Sequence, residues 1–384
     1  MPGLPDGEGP GPSARGRVFR APHPAVFPDP SRTMKPLVPP TATPTAAPEG
    51  PEATGGVTLS EVAALAGVSS MTVSRVLHAH ANVSEQTRAR VQAAIAQLGY
   101  VPNRLAGALA TAKTRLMVVI VPSLGNIVFP EVLRGANETF EAAGYQAVIG
   151  VSEYSAEKEE GLIEAMQSWR PSGWIVAGLE HTPRARQMLR EARSPVVEVM
   201  DLDGEPIDLA VGFSNREAGA AMGRFLVESG RRRIGYIGGH LDRDLRAAKR
   251  LEGFSEALAQ AGLRLHGQCF ADEPSSLLLG RTLLARLLSE HPDLDAVYCS
   301  NDDMAVGGLM HCIAAGVDVP GRLAVAGFNG LQIGEAMPRR LTTIRTPRYE
   351  IGQRAARAIL ARLAGEQPPL RDVVETEFIA GQTA

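Results

Sequence analysis

Hydrophobic and polar positions change their spacing along this chain of 384 residues. Apolar side chains recur every three to four positions over 58–77, which predicts a helix, a glycine turn and a second helix. A third helix is predicted between Ser84 and Gly99. From Arg115 onward, apolar runs alternate with amphipathic stretches. Such alternation predicts an α/β region whose parallel sheets are covered by helices on both faces.

The elements of this α/β region can be assigned one by one. The predicted buried strands are Leu116–Val121, Gln146–Val151, Trp174–Ala177, Val196–Met200, Leu209–Phe213, Ile234–Ile237, Ala296–Cys299 and Leu323–Ala326. The predicted helices between them are Glu131–Ala143, Ser155–Gln167, Asn215–Glu228, Ala247–Ala261 and Asp302–Ala315.

The first two helices each have one apolar face. Its members are Leu59, Val62, Ala63 and Ala66 on the first helix, and Val73, Val76 and Leu77 on the second. Gly67 permits the positive φ of a tight turn, and Ser69 is suited to cap the second helix. The other side of that helix carries Ser70, Met71, Ser74, Arg75 and His78. Recognition of the DNA major groove needs this division, although periodicity alone is also met by any pair of surface helices.

Composition limits the partners and cofactors. The net charge of the chain is −3, but residues 57–113 hold five basic and two acidic residues, an excess that favours contacts with phosphate. No apolar run reaches the roughly 18 residues of a membrane helix, so no membrane partner is expected. The three cysteines lack metal-ligand spacing, and we expect reduced thiols, no metal and no cofactor in a cytoplasmic, nucleoid-associated protein.

The first 56 residues differ in composition from the rest. They hold 14 of the 28 prolines, together with many glycines and alanines. Such a segment buries too little surface to offset its ordering entropy, so we expect a disordered extension over 1–56. Met34 is an alternative start, which would place the first 33 residues outside the protein.

Several strings in the helical region resemble the headpiece of the LacI/GalR family of bacterial regulators. They are Val62-Ala63, Ala66-Gly67-Val68-Ser69, Thr72-Val73-Ser74-Arg75-Val76-Leu77, Val83-Ser84, Thr87-Arg88 and Leu98-Gly99-Tyr100-Val101-Pro102-Asn103-Arg104. The resemblance implies a helix-turn-helix DNA-binding headpiece over 57–102 and a hinge helix or linker over 103–114. It further implies a two-lobed, periplasmic-binding-protein-like core over 115–380 that binds an effector and dimerises.

The same resemblance implies which residues contact DNA. In the headpiece they are Thr58, Leu59, Ser69, Ser70, Met71, Thr72, Ser74, Arg75, His78 and Asn82. In the hinge, Asn103, Arg104 and Ala106 would line the minor groove, with Leu109 as an apolar wedge. A helix over 104–112 is too short to be stable alone, so DNA and a partner hinge would stabilise it. An ordinary interdomain linker is the alternative.

Polar residues near the ends of the predicted strands suggest an effector site, because ligands of open parallel sheets bind there. The candidates are Ser123, Asn126, Phe129, Asp201, Arg250, Ser275, Asn301 and Asn329. Two of these residues have an alternative role without ligand binding: Asn301 as a helix cap and Arg250 as a surface charge. Asn329 departs from the family, which usually has an aspartate there, and this loss of negative charge favours an acidic ligand.

Further strings narrow the resemblance to the gluconate-utilisation repressors. They are Pro122–Phe129, Glu131–Gly135, His181–Arg184, Val196–Asp201 and Asp208–Phe213. This branch implies a repressor that leaves a palindromic operator when gluconate, a phosphogluconate or a related sugar acid binds to its homodimer. A different sugar or sugar phosphate, acting as inducer or corepressor, stays open, as do the operator, the target genes and a higher oligomer. The sequence shows no catalytic motif that would indicate an enzyme. Residues 57–112 argue against a periplasmic solute receptor, which does not need a DNA-binding headpiece.

Overall fold

The computed structural model describes residues 57–77, 83–101 and 114–384. The chain divides into two compact units, one ending at Tyr100 and one beginning at Val101, and each is considered by itself. The expected extension, His78, Asn82 and the hinge positions Asn103, Arg104, Ala106 and Leu109 lie outside the described residues.

The first unit is a three-helix headpiece. Its helices are α1 (Leu59–Ala66), α2 (Ser70–Leu77) and α3 (Glu85–Leu98). A small apolar core holds them together: Val62, Ala63, Ala66, Val73, Val76, Val91 and Ala94 are buried. The predicted apolar faces are thereby confirmed, with Leu59 and Leu77 packed more loosely at the margin.

Local hydrogen bonds fix where the headpiece helices begin and end. The Thr58 hydroxyl accepts from the Glu61 amide at 3.3 Å while the Glu61 carboxylate accepts from the Thr58 amide at 2.6 Å. Gly67 ends α1 with φ 63°, as predicted. Ser69 and Ser84 cap the next two helices by accepting amide hydrogen bonds at 3.2 and 3.3 Å.

The second unit alternates strands and helices. Its strands are β1 (Leu116–Val121), β2 (Gln146–Val151), β3 (Gly173–Ala177), β4 (Val196–Val199), β5 (Leu209–Gly212), β6 (Ile234–Gly239), β7 (Gly267–Ala271), β8 (Ala296–Cys299), β9 (Ala324–Ala326), β10 (Thr343–Arg345), β11 (Arg371–Val373) and β12 (Glu377–Ile379). Its helices are α4 (Val128–Ala142), α5 (Ala156–Gln167), α6 (Pro183–Glu191), α7 (Asn215–Glu228), α8 (Leu245–Gln260), α9 (Leu277–Glu290), α10 (Asp302–Ala315), α11 (Gln332–Glu335) and α12 (Arg348–Leu363).

These strands form two parallel sheets, one in each of two lobes. The N-lobe sheet has the order β11-β5-β4-β3-β1-β2, and the C-lobe sheet has the order β7-β6-β8-β9. Strands β10 and β12 pair antiparallel. The chain passes between the lobes after β5, after β10 and between β11 and β12. The expected two-lobed α/β architecture is confirmed, and the eight predicted strands agree with the structure to within two residues.

Residues at both ends of the range 114–384 are hydrogen-bonded to the two-lobed core. The hydroxyl of Thr114, placed in the linker by the sequence, donates to the Arg170 carbonyl at 2.6 Å. At the other end, Thr383 is buried and its carbonyl accepts from Val325 of β9 at 2.7 Å. In the described part of the chain, no helix has the length and apolar character needed to cross a membrane.

Two glycines let helices α7 and α8 of the C-lobe touch along their backbones. A Cβ on Gly219 would lie 1.9 Å from the Arg250 carbonyl oxygen, and one on Gly253 would lie 1.9 Å from the Arg216 carbonyl oxygen. Interiors this closely packed do not accept extra atoms without backbone shifts. The two glycines therefore fix the position of Arg250.

Replacing Gly219 by Ala tests this close approach. We expect the free energy of unfolding to fall by about 1–3 kcal/mol, because the added methyl group forces α7 and α8 apart. Urea denaturation measures the change. Gly161→Ala in α5 is the matched control. A Cβ added at this position would have no neighbour within 4 Å, and helix propensity favours alanine. Equal effects of the two substitutions would contradict the packing argument.

Candidate functional site

The exposed side of α2 presents the side chains proposed to reach DNA bases. The Met71 side chain is 66% exposed, and Arg75 lies one turn further along with its Nη2 3.7 Å from the Met71 sulfur. Ser70 and Ser74 are half-buried on the same helix. With Val73 and Val76 turned into the core, α2 has one free face as recognition of base edges requires.

Other headpiece candidates have structural duties. Ser69 and Thr72 share a hydroxyl hydrogen bond of 2.9 Å at the start of α2. Thr58 is engaged in its capping pair with Glu61, and Leu59 packs on the apolar core. These residues therefore shape the helix ends. Only their solvent-exposed atoms could contact DNA phosphates.

In the C-lobe, helix α8 carries three cations at helical spacing. Arg246, Lys249 and Arg250 are separated by three and four positions, so they share one side of the helix. Their side chains are largely or fully withdrawn from solvent, with 11% exposure for Arg246 and 15% for Lys249. This side of α8 faces the N-lobe, because Arg246 lies over the Phe129 ring of α4 at 5.3 Å.

Arg250 is buried without a carboxylate partner. The residue is 5% exposed, and its Nη1 donates to Asn215 Oδ1 at 2.9 Å. Its Nη2 donates to the Ser300 carbonyl at 3.2 Å and to Asn301 Oδ1 at 3.4 Å. The guanidinium lies 4.1 Å from the centre of the Phe328 ring, and its Nε has no hydrogen-bond partner. Across residues 114–384, no acid forms an ion pair with this group.

The neighbouring phenol cannot supply the missing negative charge. Burial raises the pKa of Tyr298 well above its ordinary value, and the nearby Arg250 only partly offsets this. Tyr298 therefore stays neutral near pH 7. An unneutralised buried cation is costly, so this arrangement favours an anionic ligand.

Four of the sequence candidates belong to one hydrogen-bonded network around Arg250. Asn301 Oδ1 accepts from Asn329 Nδ2 at 3.1 Å as well as from Arg250. Asn215 joins Arg250 to Asp201, whose Oδ1 accepts from Asn215 Nδ2 at 3.3 Å. Arg250 is buried, so it is not a surface charge. Asn301 occupies the N-cap position of α10, but its side chain makes no capping hydrogen bond and accepts from Arg250 and Asn329 instead.

The N-lobe contributes a second wall. Asn126 Nδ2 donates to the Tyr154 hydroxyl at 3.3 Å, and its Oδ1 caps the Val128 amide at 3.2 Å. Burial raises the pKa of Tyr154 to about 12, an effect increased by Asp244 of the C-lobe, so Tyr154 is a neutral donor. The Tyr154 ring lies 6.3 Å from the His240 ring of the C-lobe, which places the Asn126–Tyr154 pair near the start of α8.

Ser123 and Ser275 lie at the margin of the site. The Ser123 hydroxyl accepts from the amides of Gly125 and Asn126 at 3.1 and 3.2 Å and so shapes a turn. Ser275 lies near Asp303, whose pKa is raised chiefly by burial and lowered in part by this serine. Neither serine joins the hydrogen bonds described around Arg250.

Sequence reasoning missed several residues of the site: Tyr154, Asn215, Arg246 and Lys249. The spacing of Arg246, Lys249 and Arg250 was a usable signal, since positions i, i+3 and i+4 share a helix face. Tyr154 and Asn215 carry no comparable signal, because only the folded chain brings them to α8.

One further cluster near α8 has metal-ligating side chains. His240, Asp242 and Asp272 each place a ligand atom within 4.8 Å of the others. His240 Nδ1 is already hydrogen-bonded to Asp272 at 2.8 Å, and Arg243 pairs with the same carboxylate at 3.7 Å. A cation would have to compete with this guanidinium.

A buried histidine supports the N-lobe side of the site. His181 lies between Glu159 of α5 and Glu198 of β4, at 2.6 and 3.2 Å, and its side chain is fully buried. Burial lowers the pKa of His181, but both carboxylates outweigh this and raise it to about 9. The charged imidazole thereby anchors the loop that carries Glu180.

Comparisons with known proteins place this geometry in a family. Residues 58–103 match the family model of bacterial regulatory proteins of the lacI family, and residues 224–384 match a periplasmic binding protein-like domain. The transcriptional regulator GntR of Pseudomonas aeruginosa is 42% identical over 315 residues, covering 82% of this chain and 91% of that protein. GntR of Escherichia coli K12 is 40% identical over 308 residues, covering 80% and 92%. The chain belongs to the LacI family.

A solved structure agrees with this assignment. The crystal structure of a LacI-family transcriptional regulator from Silicibacter pomeroyi superposes with a TM-score of 0.82 at 46% identity, covering 85% of this chain and 99% of that one. This LacI-family chain is accordingly a DNA-binding transcriptional regulator rather than an enzyme. Its helix-turn-helix unit and its two-lobed core are the two parts of the family architecture.

The buried His181 predicts a pH dependence of stability for this LacI-family regulator. Its pKa is about 9 when folded and about 6.5 when unfolded, so the folded state binds more protons between these values. Its stabilisation is complete below pH 6.5 and is lost as the pH rises through 9, by on the order of 3 kcal/mol. Denaturation of the wild type and His181→Gln between pH 6 and 10 measures this. Parallel pH profiles for the two proteins would contradict it.

Proposed function

We propose that this chain is a repressor released from its operator by a small sugar acid. The observation that carries the proposal is the buried Arg250 guanidinium, which within the described residues has only neutral hydrogen-bond partners and an Nε without one. An effector carboxylate would complete this site through a forked, charge-assisted hydrogen bond. The similarity to regulators named GntR supports a ligand related to gluconate.

The polar groups around Arg250 suit the rest of such a ligand. Asn126, Asn301 and Asn329 offer amide donors and acceptors, while the buried Asp201 orients this network through Asn215. The rings of Phe129 and Phe328 supply flat apolar surface beneath the cations. Convergent polar groups on an apolar wall are typical of sites for hydroxyl-rich ligands.

A homodimer would present two headpieces to a two-fold symmetric operator in the cytoplasm. Helices α9 and α10 of the C-lobe expose apolar side chains that support self-association: Leu277, Leu278, Met310 and Ile313. In each half-site α2 would enter the major groove, with Met71 against a thymine methyl and Arg75 against a base or phosphate. The hinge positions Asn103, Arg104, Ala106 and Leu109 would occupy the minor groove between the half-sites.

Release follows from differential affinity. Effector binding between the lobes would favour one orientation of the N-lobe over the other, and this orientation would separate the paired hinges. The hinges would then lose the partner contacts that stabilise them. A ligand of equal affinity for both orientations would leave operator binding unchanged. A corepressor reverses only the sign of this coupling.

Replacing Arg250 by Gln tests the effector site. We expect affinity for the sugar acid to fall on the order of 100-fold, because the ligand carboxylate loses its buried partner. Calorimetric titration with D-gluconate and 6-phosphogluconate measures the loss, and a gel-shift series checks that the acid no longer releases operator. Arg264→Gln, on an exposed C-lobe position, is the control. Unchanged binding of both acids by the Arg250 variant, or their failure to bind the wild type, would overturn the proposal.

Replacing Arg75 by Ala tests the DNA surface. The operator is first selected from random duplexes, and affinities for it and for a scrambled duplex are then compared. We expect the operator affinity to fall by about 1–3 kcal/mol more than the affinity for the scrambled duplex, because a base contact is lost. Arg190→Ala in α6 controls for net charge. Equal losses on both duplexes would show a phosphate contact without base recognition.

A further inference from the structure

Lys249 reaches from one lobe to the other. Its Nζ on the C-lobe helix α8 lies 2.5 Å from Asp201 Oδ2 and 3.1 Å from the Asp203 carbonyl of the N-lobe. It also pairs with Glu180, in the loop after β3. Asp201 is fully buried, whereas the Glu180 side chain is 35% exposed and therefore partly screened by solvent.

Asp201 is also the carboxylate linked most directly to Arg250. A single amide separates them, since Asn215 Nδ2 donates to Asp201 Oδ1 at 3.3 Å and Asn215 Oδ1 accepts from Arg250 Nη1 at 2.9 Å. Without another cation, the charge of Asp201 would offset that of Arg250 across this bridge. Lys249 occupies the other oxygen of Asp201, which leaves Arg250 unneutralised.

A count of the withdrawn charges leads to the same result. Arg246 has its own partner in Asp244, at 3.4 Å, just as Lys249 has Asp201. With the partly exposed Glu180 left out, the cations Arg246, Lys249 and Arg250 face the two carboxylates Asp244 and Asp201, an excess of one positive charge. Removing Lys249 would leave two cations and two carboxylates, and the cleft would no longer attract an anion electrostatically.

We propose that Lys249 determines the preference of the cleft for an anionic ligand by neutralising Asp201 and so leaving the charge of Arg250 for the ligand. This inference rests on the proposed function, in which the ligand is a sugar acid. Lys249 acts through Asp201 and does not touch the ligand. It determines specificity by setting the charge that surrounds Arg250.

Lys249 keeps its charge at neutral pH. Burial lowers the pKa of its ammonium group, but the hydrogen bonds and charges of Asp201 and Glu180 more than compensate, and the pKa lies above its ordinary value. Its effect on ligand choice is therefore constant across the physiological pH range.

The test is a titration of charge selectivity with two probes of equal length, D-gluconate and the uncharged D-glucitol. Lys249→Met should lower gluconate affinity about tenfold or more while changing glucitol affinity by less than about threefold. Lys249→Arg should retain wild-type selectivity. Lys158→Met, which removes the other lysine of the described core from its surface pair with Glu153, is the matched control and should change neither affinity.

A second substitution provides the decisive arm. Asp201→Asn in the Lys249→Met background removes the unpaired carboxylate, and gluconate affinity should return to within about threefold of wild type. A direct contact between Lys249 and the ligand predicts no such recovery, and a purely structural link between the lobes predicts equal losses for both probes. Either outcome would overturn the inference. The recovery of gluconate affinity in the double variant tests the inference even if glucitol binds too weakly to titrate.

Measurements on the wild-type protein distinguish a failure of the proposed function from a failure of the Lys249 inference. Absence of sugar-acid binding before any substitution overturns the proposed function and the inference with it. Normal wild-type binding of gluconate, together with unchanged selectivity in Lys249→Met, overturns the inference alone. Circular dichroism and unfolding midpoints establish that each variant is folded.

Discussion

The burial of one guanidinium without a counter-ion is the constraint on which the site depends. Arg250 is held by the backbone contact of α7 and α8 at Gly219, and its hydrogen bonds go only to neutral oxygens. Every other cation of α8 in this cleft has a carboxylate of its own. We therefore expect this site to prefer an anionic ligand to a neutral sugar.

Besides the apolar cluster that spans both lobes, charged and cation–ring contacts link the lobes at helix α8. Lys249 joins α8 to Asp201, and Arg246 lies over the ring of Phe129. A change of lobe orientation would exchange such contacts for water. The candidate ligand site and the interlobe contacts share helix α8, so under the proposed function an effector would act on the N-lobe through this helix.

Much of this architecture follows from local sequence. Periodicity, caps and the turn at Gly67 predicted the headpiece helices, and continuous apolar runs predicted most strands because these are buried on both faces. The edge strand β7 was missed because Gln268 interrupts its apolar run, as the exposed positions of an edge strand allow. The pairing of Lys249 with Asp201 was also missed, since residues 48 positions apart meet only through the folded lobes.

A crystal structure of the protein with D-gluconate bound would show directly whether Arg250 holds an anionic ligand. We expect the ligand carboxylate within hydrogen-bonding distance of the Arg250 guanidinium, with Lys249 still paired to Asp201. A gluconate whose carboxylate points to solvent, with a hydroxyl or water against Arg250, would contradict it.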